Sequence, residues 1–122
     1  MTTTVTFIIS GNFLPSELYE ALGISNTGAE VLMREGGCEL IYKRSFHHSE
    51  APDECISDML YETLLPLVPR EDRLGEIKES FHIRYSLDID TIPPDTLLIL
   101  DGKISGFFSR SGAIREIDYY IF

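Results

Sequence analysis

Cysteine is scarce in this sequence, and its placement argues against the common cysteine-based scaffolds. Only Cys38 and Cys55 occur among 122 residues. They form no CxxC spacing, and no histidine stands near them at zinc-finger intervals, which argues against a structural metal site. We expect both thiols to be reduced, in a reducing compartment, and to act as small core residues rather than nucleophiles. A disulfide between them stays open, because a sequence gives no distance.

Long apolar runs are also missing. The longest, such as residues 96–100, fall far short of the roughly 20 apolar residues that a membrane-spanning helix needs. The first residues, Met1 to Val5, lack the basic region, the apolar region and the cleavage site of a secretory signal. We therefore expect no membrane span and a cytoplasmic location.

Basic residues are few relative to acidic ones. Ten Lys and Arg residues stand against twenty Asp and Glu residues, which gives a formal net charge of −10. A charge of this sign repels phosphate backbones and anionic membrane surfaces. Nucleic acid and membrane are therefore disfavoured as partners, whereas a basic protein suits this charge.

The sequence signatures of the common enzyme classes do not occur. G-x-S-x-G, G-x-x-x-x-G-K-[ST], G-x-G-x-x-G and H-E-x-x-H are all absent. We therefore predict no catalytic residue and no cofactor, and an enzyme is kept as the alternative. Two carboxylate pairs, Asp88 with Asp90 and Glu116 with Asp118, each share one strand face, and we expect them to be solvated rather than catalytic.

The patterning that is present indicates one mixed domain. With 43% hydrophobic residues, 122 residues can bury one sizeable core, whereas two domains would each be too small. Period-two alternation predicts strands, and three- to four-residue spacing of apolar side chains predicts helices. The predicted strands cover 3–10, 39–46, 81–89, 96–100 and 114–122, and the predicted helices cover 15–22, 52–67, part of 70–80 and 101–111, with 24–35 as a loop of some extended structure.

The predicted fold class is α+β. Few connections between the predicted strands are long enough for an all-parallel sheet with helices on both faces. We predict a single domain, residues 1–122, with a mostly antiparallel sheet of about four to five strands and two to four helices packed mainly on one face.

The long predicted helix carries acidic residues opposite its apolar side. Glu54, Asp58 and Glu62 follow at four-residue steps, with Glu50 upstream and Tyr61 beside them; we call these three carboxylates, with Glu50, the acidic ridge. Like charges at this spacing destabilise a helix by a few tenths of a kcal/mol per pair. No Lys or Arg lies in the sequence between residues 44 and 70, so the ridge is predicted to be uncompensated. It is either a solubilising face or a docking surface for a basic protein.

A second polar segment precedes that helix. His47, His48, Glu50 and Asp53 place four candidate metal ligands within seven residues. Adjacent histidines on an extended segment point to opposite sides and chelate poorly together. A solvated loop that leads into the helix also explains all four.

Two segments carry a resemblance to a known family. The run from Ile9 to Ile24 and the closing run from Ser111 to Phe122, with Asp118 before Tyr119, are similar to the bacterial domain-of-unknown-function family 4279. The resemblance spans nearly the whole chain. It implies a compact α+β domain with no assigned activity, and it brings no catalytic residues.

Two functional hypotheses follow. The first is a non-enzymatic binding domain, an immunity-type or inhibitor protein that binds a basic partner such as a nuclease toxin through Glu50, Glu54, Asp58, Tyr61 and Glu62. The alternative is a small metal- or ligand-binding domain, or an enzyme, that uses the segment from His47 to Asp53. Formation of a homo-oligomer through the final strand or an exposed sheet edge is compatible with either.

Overall fold

The fold of the chain is α+β, as predicted. A computed structural model describes residues 2–24, 28–47, 53–92 and 102–113. Its elements, in chain order, are β1 (Thr2–Gly11), α1 (Pro15–Leu22), β2 (Glu30–Arg34), β3 (Gly37–His47), α2 (Asp53–Thr63), a 3-10 turn (Val68–Arg70), α3 (Glu71–Ile77), β4 (Arg84–Ile92) and α4 (Gly102–Ser111).

The four strands form one sheet in the order β2-β3-β1-β4, and every neighbouring pair is antiparallel. Burial alternates along the central strand β1, where Val5, Phe7 and Ile9 are fully buried and the residues between them are half-buried. One face of the sheet is therefore packed against the helices. The other face carries the polar side chains, which confirms a mostly antiparallel sheet with one solvated face.

Phe7 of β1 lies at the centre of the core. Its ring centroid is 5.6 Å from that of Tyr85 on β4, 6.2 Å from that of Phe107 and 6.4 Å from that of Phe108, both on α4. Gly102 and Gly106 give α4 a weak intrinsic preference for helix. Packing of its two phenylalanines on the sheet supplies the stability that the local sequence lacks.

Helix α1 begins and ends where the sequence predicts. Pro15 occupies the first turn, and the carboxylate of Glu17 accepts a hydrogen bond from the backbone N–H of Leu14 at 2.8 Å. Gly23 ends the helix with a φ of 71°, a left-handed conformation that glycine adopts without strain. The N–H of Ile24 then reaches the carbonyl of Tyr19 at 3.0 Å.

Strand β2 lies within residues 24–35, which the sequence predicted as a loop with some extended structure but not as a strand of the sheet. Glu30–Arg34 pairs with β3 in a hairpin whose two-residue turn is Glu35-Gly36. Gly36 has a φ of 80°, which the turn requires and glycine permits. All five residues of β2 are exposed, so its sequence lacks the alternation by which a strand is normally found.

Two further predictions concern strands at 96–100 and 114–122, and both segments lie outside the described residues. Within the part that the structure describes, no helix is long and apolar enough to cross a membrane.

Candidate functional site

Helix α2 is positioned by its apolar side, which packs on β1, β3 and α4. Met59 and Leu60 of α2 are buried at the predicted spacing, and Leu64 and Leu67 continue the buried series beyond the helix. The hydroxyl of Thr63 is also buried and donates to the carbonyl of Met59 at 2.8 Å. The apolar side of α2 is thus confirmed, and its opposite side faces solvent.

The acidic ridge follows that solvent-facing side. Asp58 and Glu62 are exposed, and Glu54 lies one turn before Asp58 in the same helix. Residues four positions apart on a helix are neighbours on its surface. Three of the four predicted ridge residues therefore belong to one helix, whereas Glu50 lies outside the described residues.

The prediction that the ridge is uncompensated is wrong for Glu62. Arg44 of β3 forms an ion pair with it, with Nη2 3.0 Å from Oε1. Arg44 alternates with Leu40 and Tyr42 on the helix-facing side of β3, and α2 packs on that strand. Both side chains of the pair are half-exposed, 51% for Arg44 and 50% for Glu62, so we expect it to contribute no more than about 1 kcal/mol.

Tyr61 contributes to the hydrophobic core as well as to the surface beside the ridge, whereas the sequence predicted only a surface position. It lies next to Glu62 but is half-buried and packs against the hydrophobic core. Only part of its surface faces solvent beside the ridge. Its removal would therefore disturb the fold as well as any docking surface.

Three basic side chains of the helix layer make contacts within the chain. Each donates to a carbonyl or a carboxylate of a neighbouring element or turn, so its positive charge is already partly balanced. The contacts are Arg73 to the carbonyl of Ala21 at 3.1 Å and to Glu76 at 3.0 Å, Lys78 to the carbonyl of Gly112 at 2.7 Å, and Arg110 to Glu71 at 2.5 Å.

Several acidic side chains of the same layer are left without such a partner. Asp58, Asp72 and Glu79 are exposed and form no ion pair within the described residues. Arg73 and Arg110 stay half-exposed but are each paired with a carboxylate, and Arg70 is exposed without an ion pair in the described residues. Exposed carboxylates without an ion pair outnumber such cations in the described part of this layer, so its outer surface is negative on balance.

The predicted metal ligands are only partly located. His47 ends β3, where it is exposed and its Nδ1 lies 3.2 Å from the hydroxyl of Thr2. Asp53 begins α2, whereas His48 and Glu50 are outside the described residues. Among the residues that are described, no three His, Cys, Asp or Glu side chains form a group that could hold a metal ion. A metal site in this segment stays a prediction.

Cys38 behaves as the sequence predicts. It is buried on the helix-facing side of β3 and is a free thiol. Burial raises the pKa of this thiol, because a thiolate loses hydration in the interior. A thiol held in its neutral form is a poor nucleophile, so Cys38 is a core residue.

A polar cleft that the sequence did not predict lies at one end of the sheet. It has a volume of about 440 Å³ and is formed where the end of β1, the β2–β3 hairpin and the start of β4 meet. Its charged side chains are Arg34, Glu35, Glu39 and Arg84, and the imidazole of His82 also lines it. Arg34 is already paired with Glu39 at 2.9 Å.

His82 gives the cleft an unusual backbone feature. It has a φ of 53°, in the left-handed region that a non-glycine residue rarely adopts. The conformation belongs to the turn after α3, where the N–H of His82 donates to the carbonyl of Glu79 at 3.1 Å and that of Ile83 to the carbonyl of Lys78 at 2.9 Å. Glycine is the usual residue at such a position.

The chemistry of the cleft is mixed. Arg84 and His82 supply hydrogen-bond donors that suit an anion, whereas Glu35 and Glu39 repel one. The cleft is also wide open to solvent, where such interactions are screened. No single class of ligand follows from its lining residues, so the acidic ridge remains the better candidate site.

Comparisons of the chain with family models, with curated proteins and with solved structures find no match. The resemblance to the domain-of-unknown-function family 4279 therefore stays a prediction from Ile9–Ile24 and Ser111–Phe122.

Proposed function

We propose that this chain is a non-enzymatic binding domain of the immunity or inhibitor type, which contacts a basic partner protein through the acidic ridge on α2. The observation that carries the proposal is that Asp58, Asp72 and Glu79 are exposed without an ion pair in the described residues, whereas most basic side chains of the helix layer are already bound within the chain. The net charge of −10 acts in the same direction.

A negative surface can bind a basic protein through electrostatic complementarity. A negative patch speeds the encounter with a basic partner and disfavours acidic competitors. Asp58 has no ion pair in the described residues, so binding would not have to break one there. Glu62 can exchange Arg44 for a cation of the partner, because their pair is half-exposed and therefore weak.

The experiment that tests the proposal compares charge reversal at two places. The ridge variant carries Glu54→Lys, Asp58→Lys and Glu62→Lys. The control variant carries Glu35→Lys, Asp88→Lys and Asp90→Lys, three exposed acidic residues of the hairpin and of β4. Both variants change the net charge by the same amount. A difference in binding between them therefore depends on where the charges lie, and not on the total charge.

Each protein is immobilised and exposed to lysate of the source cell at low and at moderate salt. We expect a basic protein to bind the wild type and the control variant and to be lost from the ridge variant. The captured protein is then purified and titrated against all three forms, and a 1:1 complex that weakens with salt is expected. If both variants lost the basic protein equally, binding would depend on the net charge and not on the acidic ridge, and the proposal would be contradicted. If the wild type captured no protein, the proposal would also be contradicted.

A further inference from the structure

Strand β2 presents three consecutive apolar side chains to solvent at an edge of the sheet. Val31 is 42% exposed, Leu32 is 46% exposed and Met33 is 55% exposed. Val31 and Met33 lie opposite the buried Leu40 and Cys38 on the helix-facing side of the sheet. Leu32 lies opposite Glu39 on the other face of the sheet. Among the described residues, no element covers these three apolar side chains, the apolar strip, on either face.

The outer edge of β2 is short and has a charged residue at each end, but it lacks the other features that normally protect such an edge. Its five residues pair one to one with residues 37–41 of β3, without a bulge, and include neither proline nor lysine. Natural proteins commonly place one of these features on an exposed edge strand, because unpaired backbone groups there attract another strand. This edge is therefore competent to pair.

The hairpin fixes which backbone groups point outward. Arg34 and Gly37 flank a two-residue turn, which makes them a hydrogen-bonded pair. Such pairs alternate along an antiparallel ladder, so Glu30, Leu32 and Arg34 direct their N–H and C=O groups to β3. Val31 and Met33 direct theirs to the outer edge, where no strand of the described residues pairs with β2.

We propose that β2 pairs antiparallel with β2 of a second copy of this chain, about a two-fold axis through Leu32. The sequence Glu30-Val-Leu-Met-Arg34 is complementary to itself in this arrangement. Glu30 lies opposite Arg34 of the partner subunit, and Arg34 lies opposite Glu30 of the partner subunit. Opposite charges that face each other across two strands stabilise the pairing.

The backbone and the side chains agree on this register. Val31 exchanges both hydrogen bonds with Met33 of the partner subunit, and these are the residues whose backbone groups point outward. Leu32 meets its own copy as a pair without hydrogen bonds, where the side chains come closest. A two-fold axis at Val31 or Met33 instead would also fit the backbone, but it would separate Glu30 from Arg34.

Arg34 can take part although it already binds Glu39. The pair uses Nη2 of Arg34, whose side chain is 61% exposed. A guanidinium group has five N–H donors, so others remain for a second carboxylate. The dimer therefore adds a contact to Arg34 without breaking the one inside the chain.

The dimer should be weak and concentration-dependent, because five residues on each side make an interface smaller than a standard one. It is independent of the proposed function, since β2 and the acidic ridge belong to different elements. It is tested with the full chain, by sedimentation velocity over a range of protein concentrations.

Charge reversal gives the sharpest test. Glu30→Arg places two arginines opposite each other, and Arg34→Glu places two glutamates opposite each other, so we expect each variant to dimerise at least about tenfold more weakly than the wild type. An equimolar mixture of the two variants restores both opposite-charge pairs. We expect the mixture to dimerise as a heterodimer, which also shows that both variants are folded.

A second pair of variants tests the apolar strip. Leu32→Lys should abolish the dimer, whereas Leu65→Lys, at an equally exposed leucine beyond α2, should leave it intact. A Leu32→Cys variant should cross-link to its own copy under mild oxidation, and a Leu65→Cys variant should not.

A wild type that stays monomeric up to millimolar concentration would overturn the proposal. Dimers that form equally well in Glu30→Arg alone, or that survive Leu32→Lys, would also overturn it, because they must use another surface.

Discussion

The carbonyl oxygen of Arg110 lies where a Cβ atom on Gly75 would have to be placed. Helices α3 and α4 therefore touch through their backbones at this point. The glycine weakens α3 as an isolated helix but permits its close packing on α4.

We predict that Gly75→Ala destabilises the protein. Helix propensity alone would favour alanine by about 1 kcal/mol. The added methyl group cannot be accommodated without moving α3 away from α4, and overpacking of this kind costs about 1–3 kcal/mol. Urea unfolding at pH 7 measures the difference.

Gly106→Ala is the matched control for that variant. Its Cβ atom would meet the guanidinium of Arg110, with Nη2 at 2.7 Å, and this flexible side chain can move. We expect a change within about 1 kcal/mol, with stabilisation by the better helix former. If Gly75→Ala stabilised the protein as much as Gly106→Ala does, that result would contradict the close backbone contact between α3 and α4.

His82→Gly should stabilise the protein, although it removes a side chain. The φ of 53° at this residue costs a histidine more than a glycine, so the gain should be about 0.5–1 kcal/mol. Thermal unfolding of the variant checks it. His82→Ala keeps the backbone strain without the imidazole, so it should show no such gain; an equal rise in Tm for both variants would point to the ring rather than to the backbone.

The ion pair between Arg44 and Glu62 should contribute little to stability. A double-mutant cycle with Arg44→Ala and Glu62→Ala should give a coupling energy below about 1 kcal/mol. The coupling should fall further at about 1 M salt, where the Debye length is about 3 Å. A coupling above about 2 kcal/mol that resists salt would mean that the pair is held away from solvent.

Cys38 should make stability fall at alkaline pH. Burial raises the pKa of its thiol in the folded state, so the unfolded chain loses this proton first as the pH rises. The contribution of the neutral thiol is complete below about pH 8.5 and is lost as the pH rises through the folded pKa. Comparing the wild type with Cys38→Ala from pH 7 to 10 isolates this effect, because other titrating groups are common to both. Parallel pH profiles would contradict it.

The elements that the sequence predicts well are those whose pattern is local. Strand β1 alternates every second residue, and helix α1 has Pro15 at its start and Gly23 at its end. The apolar side of α2 follows from spacing alone. Each of these signals lies within a dozen residues, so no knowledge of the tertiary structure is needed to interpret it.

What the sequence missed depends on contacts between distant residues. Strand β2 has no alternation because all its residues are exposed, and only its pairing with β3 makes it a strand. The contact of Arg44 with Glu62 needs α2 to pack on β3. The cleft joins Ser10, Arg34 and His82 from three parts of the chain, so no motif marks it.

The central place of β1 also sets the order in which the chain can fold during its synthesis. Hairpin β2–β3 forms locally and can pair with β1 soon after residue 47 has left the ribosome. The other edge of β1 has to wait for β4, whose Arg84 lies 74 residues beyond its contact Ser10. Closure over such a sequence separation is slow. A nascent chain is therefore at its most vulnerable to wrong pairing with another nascent chain in the interval before β4 leaves the ribosome.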